Sequence, residues 1–147
     1  MKKIIAILLM MLSVSAFAAT KEQCKKADDI LKHNGELMTV ITNNVLSPDF
    51  DASEKNIEEW TTAFLQDYIT AIMLQSTEKD ISEPVLLAQA ITIKISAFYQ
   101  NAINFAKNKT DENRANVKEV TAEMATISRR LGELCPNTKS KKEKNKG

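Results

Sequence analysis

The sequence is poor in glycine, proline, histidine and cysteine, and these shortages exclude several kinds of functional site. Its 147 residues include three glycines, three prolines, two cysteines and one histidine. A glycine-rich phosphate-binding loop is therefore absent. One histidine and two cysteines cannot supply the four ligands of a structural zinc site, the paired Glu-x-x-His motifs of a di-iron centre or a Cys-x-x-Cys-His haem attachment. We expect no metal and no cofactor.

Catalysis has equally little support. His33 is the only candidate for a nucleophile-activating base, and it lies about 80–100° from the centre of the apolar stripe on its predicted helix. We therefore expect it at a boundary or in solvent. The neighbouring carboxylates Asp28-Asp29 and Glu58-Glu59 would point about 100° apart on a helix, which does not suit a pair facing one cleft. We expect a protein that is not an enzyme.

The N-terminal segment has the three parts of a secretory signal peptide. Lys2 and Lys3 precede an apolar run over residues 4–17, and Ala16-Phe17-Ala18 matches an A-x-A cleavage site. The run is shorter than the roughly 20 apolar residues that span a bilayer. The sequence predicts that residues 1–18 are removed and that the mature protein is periplasmic.

Charge is distributed unevenly along the mature chain. Residues 19–136 carry 13 basic and 18 acidic side chains, a net charge of −5, whereas residues 137–147 carry five lysines and one glutamate, a net charge of +4. The tail has no apolar periodicity, so we expect it to be disordered. The sequence thus predicts one acidic domain over residues 19–136 and a basic tail over residues 137–147.

Turn signals divide the domain into four helices of similar length. The predicted helices cover about residues 21–46, 53–75 and 112–134, and the third runs from the Ser82-Glu83-Pro84 signal to Lys107. Ser47-Pro48, Thr77–Asp80 and Asn108–Asp111 separate them. Asp51 or Ser53 would cap the second helix, and Ser82-Glu83-Pro84 is typical of a capped helix start. Short connections between helices of matched length favour an all-α, antiparallel, up-down-up-down four-helix bundle.

The two cysteines suit that arrangement. Cys24 lies at the start of the first helix and Cys135 at the end of the fourth, and these positions share one end of an up-down-up-down bundle. The periplasm is oxidising. We predict a Cys24–Cys135 disulfide that closes the bundle.

Asn34 lies near the centre of the first apolar stripe, between Ile30 and Leu37. A buried amide without a partner would cost about 1–3 kcal/mol, so we expect Asn34 to be hydrogen-bonded. The favoured interpretation is a buried polar residue that fixes the helix register. The alternative is a polar group inside a small-molecule pocket, in which Tyr68 and Tyr99 could also take part.

The third helix has a second apolar row beside its main stripe, and the second helix has extra apolar residues off its own main face. These positions are Leu86, Ala90, Ile93 and Ala97 on the third helix and Ile69 and Met73 on the second. Together they form a candidate interaction patch, since an exposed apolar patch usually marks a partner site. The alternative is that the third helix is simply buried on several sides.

These patterns favour a small exported interaction protein, of the inhibitor, immunity or secretion-accessory type, that acts by protein–protein contact. Its partner would be another protein, for which a basic effector suits the acidic domain, or a second copy. A small-molecule sensor and a periplasmic stress chaperone are the alternatives. The tail lacks aromatic residues, so we expect no nucleic-acid binding, and contact of its lysines with a membrane surface is the less favoured role for it.

Overall fold

The computed structural model describes residues 19–136, and every regular element in that range is helical. The helices are α1 (Lys21–Val40), α2 (Glu54–Ser76), α3 (Glu83–Lys107) and α4 (Asp111–Leu134), and a π-helical turn (Ile41–Val45) directly continues α1. For residues 19–136, the prediction of an all-helical fold with four long helices is confirmed. The predicted signal peptide and basic tail lie outside the described residues.

Side-chain caps set the starts of three helices. The side chains of Thr20, Ser53 and Thr110 each accept a hydrogen bond from the backbone amide three residues ahead. The Thr20 amide in turn donates to Gln23 Oε1. These bonds satisfy amides that have no partner within the helix. Ser53 is therefore the cap of α2. At the start of α3, Ser82 is the cap residue and Pro84 lies in the first turn.

The end of the first helix differs from the regular α-helix that the sequence predicted. The Leu46 amide donates to the Ile41 carbonyl at 3.2 Å, one residue further back than in an α-helix. Ile41 and Val45 are both buried at the two ends of this wider turn. The turn thus places two large side chains in the core immediately before Ser47-Pro48 ends the helix.

Helix α3 is the central element of the core. Ten of its residues are buried, compared with two in α1 and three each in α2 and α4. It packs most extensively against α4 and α1. Its contact with α2 includes the aromatic rings of Phe64 and Tyr99, whose centroids lie 4.0 Å apart. Helix α3 has more close backbone contacts with α1, where Asn34 meets Ala88 and Thr92, than with α2.

The disulfide links the two ends of the described chain. Cys24 and Cys135 are bonded, with their Cα atoms 5.7 Å apart and 111 residues apart in sequence. Cys135 lies in a small buried cluster with Ala27, Ala88 and Leu131. The predicted disulfide is confirmed, and it joins the start of α1 to the end of α4.

Replacing both cysteines with alanine should lower the free energy of unfolding by about 2–5 kcal/mol, because a closed loop of this length restricts the unfolded chain. Urea unfolding of the two proteins measures the difference. The reduced wild type should match the double variant, and reductant should leave the double variant unchanged. Equal stability of all three proteins would contradict a structural role for the bond.

Candidate protein-interaction surface

Large apolar side chains are exposed mainly on α2 and α3. Of the eight such residues in the described chain, six lie on these two helices: Leu65, Ile69, Met73 and Leu74 on α2, and Leu86 and Ile93 on α3. Their exposed fractions lie between 47 and 64%. Val40 and Leu74 border a groove between α1 and α2, and Ile81 lies in the connection before α3.

Apart from Leu74, these exposed residues of α2 and α3 form one row on each helix. On α2, Leu65, Ile69 and Met73 recur every fourth position, and on α3 the row consists of Leu86, Ala90, Ile93 and Ala97. Ala97 is exposed and Ala90 is half-buried. Residues with such spacing share one side of a helix. We call these seven residues the α2–α3 face.

Contacts between the helices place the two rows side by side. Thr61 Oγ1 lies 3.0 Å from Tyr99 Oη, and Gln89 Nε2 lies 3.5 Å from the Gln75 carbonyl oxygen. Ile69 is near the middle of the α2 segment between these contacts, and Ile93 is near the middle of the α3 segment. The two isoleucines therefore lie at about the same level.

The two segments that carry the α2–α3 face are nearly free of charged residues. Residues 60–77 include only Asp67 and residues 84–106 include only Lys94, whereas α1 carries eight charged residues and α4 carries nine. Both exceptions point elsewhere. Asp67 lines the groove between α1 and α2, and Lys94 Nζ lies 2.6 Å from Glu123 Oε2 of α4. A charge-depleted centre is characteristic of protein interfaces.

The structure thus places the second apolar row of α3 at the surface, although the opposite side of that helix is the most buried part of the protein. The exposed patch and the deeply buried helix, the two interpretations of the sequence, thus each describe one side of α3. Leu65 extends the exposed row on α2 by one position and is absent from the patch predicted from the sequence. The near absence of charge over residues 60–77 and 84–106 is the sequence signal that marks the segment containing Leu65.

A groove runs along the other side of α2, against α1. Two adjoining cavities of about 380 and 290 Å³ share His33 and Ala71 in their linings. His33 is exposed at the rim, where the sequence had predicted a boundary or solvent position. Within residues 19–136, no three His, Cys, Asp or Glu side chains are grouped so that they could hold a metal ion.

Asn34 is buried and paired within the protein. Its Nδ2 donates to the Ala88 carbonyl at 3.2 Å, and the Thr92 hydroxyl donates to its Oδ1 at 2.9 Å. Thr92 is also fully buried. Because both polar atoms of the amide bind α3, they link α1 to α3 at a fixed register.

Tyr99 and Tyr68 both pack against Phe64, and the Tyr99 hydroxyl is also hydrogen-bonded. The Tyr99 hydroxyl bonds with Thr61, and its ring stacks on Phe64, which in turn stacks on Tyr68. Burial raises the pKa of Tyr99, although the hydrogen bond with Thr61 acts in the opposite direction. These rings fill the space between α2 and α3.

A partly buried ionic cluster joins α1 to the α2–α3 connection. Lys26 Nζ lies 3.4 Å from Glu78 Oε1 and 3.4 Å from Asp80 Oδ2. Burial opposes the charge on Lys26, but the two carboxylates outweigh it and raise its pKa above 10.5. The Asp80 amide, aided by Lys26, lowers the pKa of Glu78 below 4.5, and hydrogen bonding by Ser82, again aided by Lys26, lowers that of Asp80 below 3.8.

No protein-family model, curated protein or solved structure matches the chain. In the described range, none of the helices combines the length and hydrophobicity needed to cross a membrane.

Replacing Asn34 with leucine should lower the free energy of unfolding by about 1–3 kcal/mol, because the variant loses two buried hydrogen bonds. Thr92→Val should cost less in the Asn34→Leu background than in the wild type, since the two side chains share one bond. Urea unfolding of the four proteins measures this coupling. Strictly additive losses would show that the bond does not link α1 to α3.

The ionic cluster should make stability depend on acid. Carboxylates with lowered pKa values stabilise the fold above their unfolded pKa values, and this contribution disappears as the pH falls below about 4.5 through the folded values. Lys26→Met should therefore lower the melting temperature at neutral pH and have a smaller effect near pH 3. Lys55→Met is the control, because its partner Glu59 is 3.9 Å away and exposed. A pH-independent effect of Lys26→Met would contradict this assignment.

Proposed function

We propose that this protein is a small exported interaction protein that acts in the periplasm, without catalysis, by binding another protein chain through the α2–α3 face. In this proposal, cleavage after Ala18 releases the acidic domain and its basic tail. The four helices form an antiparallel up-down-up-down bundle closed by the disulfide. The observation that carries the proposal is the exposed apolar face without charge.

Contacts across the helices support the bundle arrangement. Between α3 and α4, the bonded pairs are Glu83 with Arg130, Lys94 with Glu123, and Asn101 with Asn116, so positions that increase along α3 decrease along α4. The disulfide pairs the start of α1 with the end of α4 in the same opposite order. Lys26 near the start of α1 likewise meets Glu78 just beyond the end of α2.

The composition of the α2–α3 face supports binding to protein. Five large apolar side chains are exposed there, and burying them would be favourable at about 25 cal/mol for each Å² removed from water. Burial of this face would desolvate no charge, whereas burial of the equivalent surfaces of α1 or α4 would desolvate several. Exposed apolar surface of this kind is the usual mark of a partner site.

The disulfide and the signal-like N-terminus both support export. A disulfide that forms stably is typical of an oxidising compartment, and residues 1–18 have the pattern of a secretory signal. Outside the α2–α3 face, the net charge of −5 over residues 19–136 would accelerate association with a basic partner. An inhibitor, immunity protein or secretion accessory would need both export and an acidic surface that attracts a basic partner.

No observation favours the small-molecule alternative over protein binding. Such a site would need free polar groups in an enclosed apolar cavity, and the polar atoms of Asn34 and Tyr99 already bind other residues. The stress-chaperone alternative would use the same exposed face. It would differ in binding many unfolded chains rather than one folded partner.

The proposal is tested by the native mass of the protein captured gently from the periplasm of its own cell. The wild type should be found in a complex heavier than one mature chain. The Met73→Lys/Ile93→Lys double variant should be folded and monomeric, because it places two charges in the buried contact. Circular dichroism checks the fold of the variant.

The matched control is Val40→Lys/Leu74→Lys, which adds the same two charges at exposed apolar residues beside the groove between α1 and α2. This control should keep the complex. A bare monomer in the wild-type sample would contradict the proposed function, and so would equal loss of the complex in both double variants.

A further inference from the structure

We propose that the partner covering the α2–α3 face is a second copy of this chain, so that the face meets itself across a two-fold axis. This inference rests on the proposed function, because it specifies the occupant of the same face. Three properties of this surface carry it: its lack of charge, its alternation of large and small residues, and its size.

The absence of charge makes the face compatible with itself. In a two-fold dimer the same patch is present on both sides, so any net charge on it would oppose a like charge. The only charged residues in the two segments, Asp67 and Lys94, lie on other sides of their helices. The face therefore brings two domains, each of net charge −5, together without placing like charges in contact.

The row on α3 alternates large and small side chains, in the order Leu86, Ala90, Ile93 and Ala97. When two such rows cross, a large residue of one copy can fit over a small residue of the other, as in ordinary helix packing. Each copy supplies both the projecting side chains and the spaces that receive them. This self-complementarity is what a symmetric contact requires.

The size of the face suits a dimer. On α3 the exposed, uncharged side extends beyond the four-residue row, through Gln100 to Asn104. From Leu86 this is about 28 Å of helix, and two adjacent helices are about 20 Å wide. Such an area is on the order of the ~800 Å² that each partner buries in a standard interface. Ile69 and Ile93, at the same level, lie near its centre and hence near the proposed axis.

A membrane surface is a poorer occupant. Helices that lie on membranes carry lysine or arginine beside the apolar residues, where these groups meet lipid headgroups. The sole basic residue in the two segments is Lys94, and its ammonium group is bound to Glu123 on α4. The chemistry of the face thus favours another protein surface of the same neutral kind.

Charge exchange at Ile93 tests the inference. Sedimentation equilibrium should show the purified, oxidised mature chain as a dimer. Ile93→Lys and Ile93→Glu should each weaken dimerisation at least about 100-fold, because two like charges meet near the axis. A 1:1 mixture should recover at least about 10-fold of that loss, because lysine then faces glutamate. The control Val40→Lys should dimerise like the wild type.

Circular dichroism checks that each variant is folded. If a variant does not fold, the mass of the wild type alone decides the question. A monomeric wild type at concentrations up to about 1 mM, or folded Ile93 variants that dimerise like the wild type, would overturn the inference. Wild type that stays monomeric but binds neutral lipid vesicles through Ile93 would also overturn it.

The two proposals can fail separately. A purified monomer that forms a complex with a different protein in the cell, sensitive to Met73→Lys/Ile93→Lys, would overturn the second copy as occupant and leave the proposed function in place. A monomer both in the purified state and in the captured sample would contradict both proposals.

Discussion

The burial of one side of α3 is the constraint on which the rest of the structure depends. Ten buried residues on this helix hold α1 and α4 against it, and the Asn34–Thr92–Ala88 bonds fix the position of α1 along it. With its inner side occupied, nothing in the described chain covers the outer row that contains Leu86 and Ile93. The exposed face is therefore a direct consequence of how the core is built.

Helix positions and the disulfide could be predicted from sequence because their causes are local or topological. Capping residues and prolines mark helix ends, and the two cysteines lie at chain positions that meet at one end of the fold. The π-helical turn could not be predicted, since Ile41 and Val45 have the spacing of an ordinary α-helix. Both side chains are buried in the wider turn, and they would also share one face of an α-helix, so the apolar pattern does not distinguish the two geometries.

The location of the second row on α3 could not be predicted from periodicity alone. Two apolar rows on one helix are compatible with burial on both sides or with one exposed side, and only the contacts of α3 with its neighbours decide between them. Charge was more informative than hydrophobicity here. Residues 60–77 and 84–106 contain only two charged residues. This scarcity of charge marks the uncharged surface, including Leu65, of which the apolar pattern identified only a part.

The face also spans two helices that are packed to unequal extents. Helix α2 buries three residues, and it makes fewer close contacts than α1 or α4 do with α3. Its aromatic side chains, Phe64 and Tyr68, fill the space between the helices. A partner that covers both rows would hold α2 against α3 from outside. Since a partner that binds only the folded state stabilises that state, occupation of the face would stabilise the contact between α2 and α3.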